Sequence, residues 1–423
     1  MPWTEVSIMD QRAEFVAMAQ AGVSPVRALC RRFAISPATA YKWLKRAQAE
    51  GLVGLADRSR RPHASPRHTT AAVEALVVGL RDDHPAWGGR KITARLRALG
   101  HDKVPSPSTV TGILRRHGRL TAPERSTHAW RRFERPVPNQ LWQMDFKGHV
   151  PLGQGSGRLH PLTVLDDHSR YCLVLGACGD EQGATVQTQL VTAFRRYGLP
   201  DQMLADNGGP WGDGGQPWTQ LGVWLLQLGV GLCHGRPYHP QTQGKDERFH
   251  RTLRAELLQG PPYADLRRAQ RSFDDWRRLY NLERPHEACA LKPPISRYHP
   301  SERTYPETLP AVEYGPDFLV RRVRPQGSFS FHAREYRVGG AFAGQPIGLL
   351  PATIDGVWTV YFSRFRVGSL DERTVAHGGY GLVERQVRPR PNDDGAARSS
   401  RRRLRRERQR LQNGTRRGRR RGA

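Results

Sequence analysis

The sequence lacks the features that would place the chain in a membrane or in an oxidising compartment. No apolar stretch approaches the roughly 18 residues of a membrane span, and no apolar run follows a basic start as in a signal peptide. The five cysteines form no CxxC pair, which weighs against a zinc ribbon or a dithiol redox site. Most of them lie among apolar neighbours, so we expect small core residues in a reducing compartment. These absences predict a soluble, cytoplasmic protein with no membrane-spanning segment.

Acidic residues are scarce relative to basic ones. The 423 residues include 67 Lys and Arg against 39 Asp and Glu, for a net charge of +28. Such a positive field favours a polyanionic partner, either nucleic acid or an acidic membrane surface. The excess is densest at 385–423, where sixteen arginines stand against three acids. We expect this tail to be disordered and to bind phosphates without sequence preference, although an arginine-rich genome would produce such a tail without selection.

The length and the changes of pattern along the chain predict several domains. We expect, in chain order, a helix-turn-helix domain at 1–51, a basic linker at 52–70, a second helix-turn-helix-like module at 71–118, a basic linker at 119–138, an α/β core at 139–300, a small all-β barrel at 315–376 and the arginine-rich tail at 385–423. The chain is therefore expected to be multidomain, with all-α modules before a central α/β domain.

Paired Ser-Pro dipeptides mark helix starts near the N-terminus. Ser24-Pro25 and Ser36-Pro37 each combine a capping serine with proline at the first helical position. The short connection between the second and third helices predicts a helix-turn-helix. On the third helix we expect Thr39, Lys42 and Arg46 to face a DNA major groove. The alternative is a plain three-helix bundle with a solvated basic face.

From residue 141 the pattern changes to strand-like runs that alternate with helices. This order predicts a mixed five-stranded sheet with helices on its faces. The expected strands are 141–150, 161–165, 171–177, 202–205 and 230–233, and the expected helices are 181–197, 217–228, 244–258 and 263–282. Beyond residue 294, short β-rich runs with glycine turns predict the small barrel.

Three carboxylates stand where a charge is costly. Asp145 lies among apolar residues in a strand, Asp206 ends a strand before Asn-Gly, and Glu247 opens an amphipathic helix. Taken singly, they are explained by an exposed edge strand, a turn and an i,i+4 salt bridge. A carboxylate among apolar residues needs a compensating cation. Together the three predict a divalent metal site, and two-metal sites cut or join phosphodiesters.

Four motifs resemble the retroviral integrase and DDE transposase superfamily. They are Trp142-Gln-Met-Asp145, Leu165-Asp-Asp-His-Ser-Arg-Tyr171, Asp206-Asn-Gly208 and Tyr238-His-Pro-Gln-Thr-Gln-Gly-Lys-Asp-Glu-Arg248. The likeness is greatest to bacterial insertion-sequence transposases with an integrase-type core. It implies an RNase H-like fold in which Asp145, Asp206 and Glu247 hold two Mg²⁺ ions, with Mn²⁺ able to substitute.

Neighbouring acids leave alternatives for the metal ligands. Asp246 could replace Glu247, and Asp166 or Asp167 could assist. We favour Glu247 because the resemblance aligns it with the family's glutamate, and we expect Asp166 and Asp167 to shape a hairpin turn. The 40 residues between Asp206 and Glu247 exceed the usual spacing in the superfamily, and a loop insertion at 211–218 would absorb the excess.

Basic and polar residues around Glu247 are candidate DNA contacts. We expect phosphate contacts from four side chains, Lys245, Arg248, Arg251 and Arg254. His239 and Gln241 precede the helix and are expected to touch the strand being cut, unless they only shape the loop.

The resemblance implies a DNA transposase that works as a homo-oligomer on double-stranded DNA, associated with the bacterial nucleoid. It would bind terminal inverted repeats, cleave there, and join the freed 3′ ends to target DNA by transesterification. Two other classes stay open. One is a non-catalytic DNA-binding regulator derived from a transposase, and the other is an RNase H-like nuclease without strand transfer.

Overall fold

The computed structural model describes residues 7–59, 68–120, 133–155, 157–212, 218–234, 244–376 and 378–383. The chain divides into two compact units, Met1–Thr69 and Thr70–Ala423. The predicted tail at 385–423 lies outside the described residues. Among the described residues, no helix has both the length and the apolar character needed to cross a membrane.

The first unit is a three-helix bundle. Its helices are α1 (Ile8–Gln20), α2 (Val26–Arg32) and α3 (Pro37–Glu50). Ser36 caps α3 as predicted, since its hydroxyl accepts from the Thr39 N–H at 3.2 Å. The same prediction for Ser24 is wrong, because α2 begins one residue later, with Pro25 at the cap position and no side-chain capping bond. The chain enters this helix by its backbone conformation alone.

The second unit begins with another set of three helices. They are α4 (Ala71–Asp83), α5 (Gly89–Ala98) and α6 (Pro107–Arg116). Gly89 allows α5 and α6 to cross closely, since a Cβ atom there would lie 2.4 Å from the Pro107 carbonyl oxygen. Trp87 and Ile92 are fully buried in the core of this module. The predicted second helical module is thus present as three packed helices.

The central domain is built on a mixed sheet of six strands. They are β1 (Trp142–Phe146), β2 (Val150–Pro151), β3 (Arg158–Asp166), β4 (Cys172–Cys178), β5 (Gln202–Ala205) and β6 (Gly231–His234). The order is β2-β3-β1-β5-β6, with β4 also paired to β3. The β1–β3 and β3–β4 pairs are antiparallel, whereas β1–β5 and β5–β6 are parallel. The mixed sheet is confirmed.

The predicted count of five strands is wrong by one short strand. The run expected at 141–150 is divided into β1 and β2, both of which pair with β3. Gly148 interrupts it with φ of +84°, a conformation that glycine adopts readily and that a strand does not contain. The pairing with β3 slips by one residue across this interruption, from Phe146↔Leu162 to Val150↔Leu159.

Helices cover both faces of this sheet. They are α7 (Gly183–Tyr197), α8 (Gln220–Gln227), α9 (Gly244–Glu256) and α10 (Leu266–Leu282). Helices α7 and α8 pack on the face that carries Trp142 and Met144. Helices α9 and α10 pack on the opposite face, against Leu165 and Leu175. Because side chains alternate along a strand, β1 contributes to one core while its other face meets α9.

The C-terminal region is all-β, but the predicted closed barrel is wrong. Its strands are β7 (Leu319–Arg322), β8 (Ser328–Phe331), β9 (Arg334–Arg337), β10 (Pro346–Pro351), β11 (Val357–Phe362), β12 (Phe365–Asp371) and β13 (Tyr380–Leu382). They form one sheet of order β12-β11-β10-β7 and another of order β13-β9-β8. Closure requires every edge strand to be paired. Here the two sheets pack over one core but, among the described residues, are not hydrogen-bonded to each other. The second sheet includes a parallel pair, between β13 and β9.

Candidate active site

Asp145 and Asp206 lie side by side at the carboxyl ends of two neighbouring parallel strands. Trp142 on β1 is opposite Met203 on β5, and Gln143 is opposite Leu204. Continuing this register by two residues places Asp145 opposite Asp206. The sheet therefore brings together two of the three predicted metal ligands.

Both carboxyl groups are held where the charged form is disfavoured. Burial raises the pKa of Asp145 to about 7, and the neighbouring charge of Asp206 adds to the increase. Burial also raises the pKa of Asp206, with a smaller effect from Glu181. The Oδ1 atom of Asp206 is buried and has no hydrogen-bond partner among the described residues. Two adjacent carboxylates with an unused buried oxygen suit a hard divalent cation.

Helix α9 is fixed against β1 by His250 and Thr163. The His250 Nε2 lies 2.9 Å from the Thr163 hydroxyl, which donates to the Asp145 carbonyl oxygen at 3.0 Å. The His250 Nδ1 lies 3.8 Å from the Asp145 carboxylate. Burial lowers the pKa of His250 to about 4, so the neutral ring forms no ion pair at this distance. Sequence reasoning missed His250, although its position three residues after Glu247 places both on one side of α9.

Glu247 lies near the aspartate pair without joining it. Its side chain is exposed on the first turn of α9. Its charge contributes to the raised pKa of Asp145, as the last of the five causes. Among the described residues, no three Asp, Glu, His or Cys side chains are grouped closely enough to hold a metal ion. Asp145 and Asp206 are therefore adjacent, whereas the Glu247 carboxylate is near them but is not part of a closely spaced group of three.

Asp246 is the buried alternative to Glu247. Its side chain is completely buried, and neither carboxylate oxygen has a hydrogen-bond partner among the described residues. Burial raises its pKa well above the ordinary value, and the charges of Asp145 and Asp167 act in the same direction. Asp246 thus points into the protein interior, while Glu247 is accessible to a substrate.

Asp166 is a structural residue of the turn between β3 and β4. Its Oδ1 accepts from the Ser169 N–H at 2.7 Å and from the Ser169 hydroxyl at 2.6 Å. Its Oδ2 accepts from the Asn139 N–H at 2.7 Å. These bonds agree with the expectation that it shapes the hairpin. Asp167 likewise accepts hydrogen bonds at both of its carboxylate oxygens.

Two other side chains near the aspartate pair were not predicted. Glu181 contributes to the raised pKa of both Asp145 and Asp206, and it lies 2.8 Å from His160 Nδ1. Trp211 is buried, and its ring centroid is 5.9 Å from that of Phe146, the residue after Asp145. The expected loop insertion thus begins with a residue of the core. Residues 213–217 lie outside the described residues.

The predicted DNA contacts on α9 fall into two groups. Arg251 and Arg254 are exposed, and Arg248 is exposed while it pairs with Glu287 at 3.2 Å. Lys245 is instead largely buried and pairs with Asp167, so its ammonium is occupied within the protein. His239 and Gln241 lie outside the described residues.

Two of the three predicted contacts on α3 lie beside Trp43. Lys42 Nζ lies 4.8 Å and the Arg46 guanidinium 5.1 Å from the Trp43 ring centroid. The Thr39 hydroxyl lies 2.9 Å from that of Ser36, at the helix cap. Tyr41, which the sequence motifs did not single out, is 61% exposed on this helix. Its place next to buried Ala40 on a 3.6-residue period was the available signal.

Five domain families match the chain. Two families described as "Integrase core domain" match residues 135–240 and 228–294. The family "IS481 family transposase, C-terminal domain" matches residues 319–377. A "Helix-turn-helix domain" matches residues 11–63 and a "Homeodomain-like domain" matches residues 39–114.

Curated relatives include two proteins of bacterial insertion elements. The chain is 28% identical over 271 residues to the "Insertion element IS476 uncharacterized 39.2 kDa protein" of Xanthomonas euvesicatoria, which covers 62% of this chain and 75% of that protein. It is 26% identical over 247 residues to the "Insertion element IS407 uncharacterized 31.7 kDa protein" of Burkholderia multivorans, with 56% and 84% covered. A match to the Gag-Pro-Pol polyprotein of squirrel monkey retrovirus is 34% identical over 121 residues, and covers 29% of this chain and 6% of the polyprotein.

Solved structures of retroviral integrases are also similar. A chain of the simian T-cell lymphotropic virus intasome has a TM-score of 0.33 at 15% identity, with 74% of this chain and 100% of that chain covered. The HTLV-2 integrase catalytic core domain in complex with magnesium has a TM-score of 0.29 at 12% identity, with 39% and 99% covered. Both TM-scores lie below 0.5.

Proposed function

We propose that this chain is an insertion-sequence transposase with a retroviral integrase-like core and that it catalyses Mg²⁺-dependent DNA cleavage and strand transfer. Its similarity to integrase core and transposase families and to insertion-element proteins supports the proposal. The protein acts on the inverted repeats of its own element and joins the freed 3′ ends to target DNA in the bacterial cytoplasm. The observation that carries this proposal is the pair of buried carboxylates, Asp145 and Asp206, side by side at the ends of β1 and β5.

The chemistry of the donor set suits a divalent cation at the aspartate pair, and the proposal assigns two such ions to the site. Asp145 and Asp206 supply hard oxygen ligands, and the unpartnered Oδ1 of Asp206 among the described residues is a position that a cation would fill. Glu247 supplies the third carboxylate from the exposed first turn of α9. When bound, Mg²⁺ would favour ionisation of the attacking hydroxyl and stabilise the charge on the leaving 3′ oxygen.

The protein's own residues position these ligands and the DNA. His250 and Thr163 hold α9 against the backbone of Asp145. Trp211 packs on Phe146, the residue after Asp145. Arg251 and Arg254 lie one and two turns beyond Glu247 on α9, where they would bind the phosphates that flank the scissile bond.

DNA recognition is assigned to the helical modules at 1–51 and 71–118. On α3, Lys42 and Arg46 flank Trp43 while exposed Tyr41 and Lys45 lie four residues apart, a spacing that suits one face of a recognition helix. Two such modules would read a longer site than one. Since an element has two ends, we propose that the active form is a homo-oligomer that binds both.

The proposal is tested by incubating the purified protein with Mg²⁺, DNA that carries its own element ends, and a supercoiled target. We expect nicks at the ends and joined products, both abolished in Asp145→Asn and Glu247→Gln. The matched control is Asp275→Asn, which changes an exposed acid of α10 and should leave both products unchanged.

The outcomes separate the three candidate functions. Free ends without joined product would indicate a nuclease that lacks strand transfer. Specific binding to the ends without any cleavage would indicate a DNA-binding regulator. Full activity in Asp145→Asn would refute the assignment of the site.

A further inference from the structure

Asp167 is a fully buried carboxylate to which three chain segments donate hydrogen bonds. Its Oδ2 accepts from the Arg135 backbone N–H at 2.7 Å, and its Oδ1 accepts from the Gln143 side-chain amide at 2.7 Å. The Lys245 ammonium also donates to Oδ1, and lies 3.3 Å from the Asp167 carbonyl oxygen. We name this set of four residues the Asp167 junction.

The Asp167 junction connects the two elements that carry the proposed ligands. Gln143 lies on β1 two residues before Asp145, so the two side chains project from the same face of the strand. Lys245 lies two residues before Glu247, on the first turn of α9. One buried side chain therefore contacts both elements close to the residues that must act together.

The Asp167 junction anchors the N-terminal end of α9, which has fewer other restraints than the C-terminal end. At the other end, Glu256 pairs with Arg284 in an ion pair in which both side chains are almost completely buried, and it accepts from the Trp276 indole at 3.2 Å. The first turn of a helix has N–H groups without partners inside the helix and frays unless something holds it. Lys245 supplies this hold, because its side chain is only 18% exposed and lies against Asp167.

Asp167 is poorly placed to bind a metal ion itself. Its side chain has no exposed surface, and both carboxylate oxygens already accept hydrogen bonds from the protein. By contrast, the unused buried oxygen of Asp206 belongs to the aspartate pair. This difference separates an acid that orders the site from one that is available to a ligand.

We propose that Asp167 is a positioning residue that sets the place of Glu247 relative to Asp145. It does so by holding Lys245 of α9 and Gln143 of β1 on one carboxylate. This inference rests on the proposed function for its catalytic consequence, but the ordering of α9 that it predicts does not depend on activity.

The first test measures hydrogen exchange in the metal-free protein. In Asp167→Asn and in Lys245→Met, we expect the amides of residues 248–250, which bond to the first turn of α9, to exchange about tenfold faster because local protection is weaker. The double variant should exchange no faster than the single variants, because both changes remove the same interaction. Unchanged exchange, or additive effects in the double variant, would overturn the proposal.

Glu134→Gln is the matched control. Glu134 pairs with Arg170 and Arg297 near the same turn. Among the described residues its hydrogen bonds and ion pairs lie outside α9, and its charge is the last of five influences on the pKa of Lys245. We expect this change to leave the exchange of residues 248–250 as in the parent. If it accelerates exchange as much as Asp167→Asn does, the effect is general loosening of the turn and the proposal fails.

The second test titrates Mg²⁺ in the cleavage reaction. Residues that orient metal ligands typically affect metal affinity by 10–100-fold, so Asp167→Asn should raise the half-saturating Mg²⁺ concentration by about that factor. DNA affinity measured without metal should stay as in the parent, and Lys245→Arg should retain most of the parent's Mg²⁺ affinity. An unchanged Mg²⁺ requirement would overturn the catalytic part of the inference. Absence of cleavage in the parent would instead refute the proposed function, and the exchange experiment would still decide the role of the junction.

Discussion

The buried acids of the central domain differ in how many hydrogen bonds they accept from the protein. Asp166 and Asp167 each accept several hydrogen bonds from the protein. Asp246 accepts none among the described residues, and one oxygen of Asp206 is also unused there. Buried polar groups are almost always hydrogen-bonded. The hydrogen bonds of Asp166 and Asp167 therefore explain their burial, whereas the burial of Asp206 and Asp246 needs a different explanation, such as a functional role.

Asp145 should lower the stability of the metal-free protein at neutral and alkaline pH. Its pKa in the folded protein is about 7 against an ordinary value of 3.8, so the folded state binds the proton more tightly than the unfolded state does. The penalty for the charged form is fully present above pH 7 and disappears as the pH falls towards 4. In EDTA at pH 8, Asp145→Asn should raise the free energy of unfolding by about 2 kcal/mol.

Urea denaturation at pH 8 and at pH 4.5 measures this effect. The variant should be more stable than the parent at pH 8, and the difference should be clearly smaller at pH 4.5. A stability difference of the same size at both pH values would contradict the charge-based explanation.

Asp246 and Asp167 should respond oppositely to replacement by valine. Asp246→Val removes a buried carboxylate without partners and should stabilise the protein by about 1–2 kcal/mol. Asp167→Val leaves Lys245 and Gln143 without their acceptor and should destabilise it by about 3 kcal/mol. Denaturation midpoints check both signs. Loss of DNA cleavage in a well-folded Asp246→Val protein would show that Asp246, rather than Glu247, supplies the third ligand.

At the scale of single elements, α9 combines an acid of the site with exposed arginines. Arg251→Ala and Arg254→Ala should each weaken DNA binding to a similar degree for all sequences. Each should also lower the slope of log K against log salt concentration by about one. Fluorescence anisotropy over a salt series measures both quantities.

Arg195→Ala provides the comparison for these arginines. Arg195 is exposed on α7, but its guanidinium is held by both oxygens of Glu307 at 2.8 and 2.7 Å. Its replacement should leave the salt dependence unchanged. An equal loss of slope in Arg195→Ala would mean that binding reflects overall charge rather than the α9 surface.

The elements of the central domain were largely predictable from the sequence because their signals are local. The strand that carries Asp145, the strand that ends before Asp206, and the helix that begins at Gly244 all follow from apolar runs and turn residues. The break at Gly148 was not predictable, because glycine is also tolerated within a strand. The two-sheet arrangement of the C-terminal region depends on which strands pair over long distances, for which short β-rich runs contain no information.

The site was predictable only in part, for the same reason. Motif resemblance selected Asp145, Asp206 and Glu247, and the parallel register of β1 and β5 explains why the first two meet. The pairing of Lys245 with Asp167 joins residues 78 positions apart. The sequence therefore predicts an exposed phosphate contact for Lys245, whereas in the fold its ammonium is largely buried against Asp167.

At the scale of the whole molecule, the basic charge is spread over several parts of the chain. The net charge of +28 includes the sixteen arginines of 385–423. Removal of 385–423 should weaken binding to nonspecific DNA and lower its salt dependence by several counterions, with no change in melting temperature. Unchanged binding would favour the explanation that the tail reflects only an arginine-rich genome.

The central claim is that divalent cations held by Asp145, Asp206 and Glu247 act directly on the scissile phosphodiester. Element-end DNA with sulfur in place of one nonbridging oxygen at that phosphate tests it, because Mg²⁺ binds sulfur poorly and Mn²⁺ binds it better. The account predicts that the protein cleaves this DNA slowly with Mg²⁺ and recovers its rate with Mn²⁺, while unmodified DNA is cleaved with either ion. Equal cleavage of the modified DNA with both ions, for each of the two sulfur configurations, would contradict it.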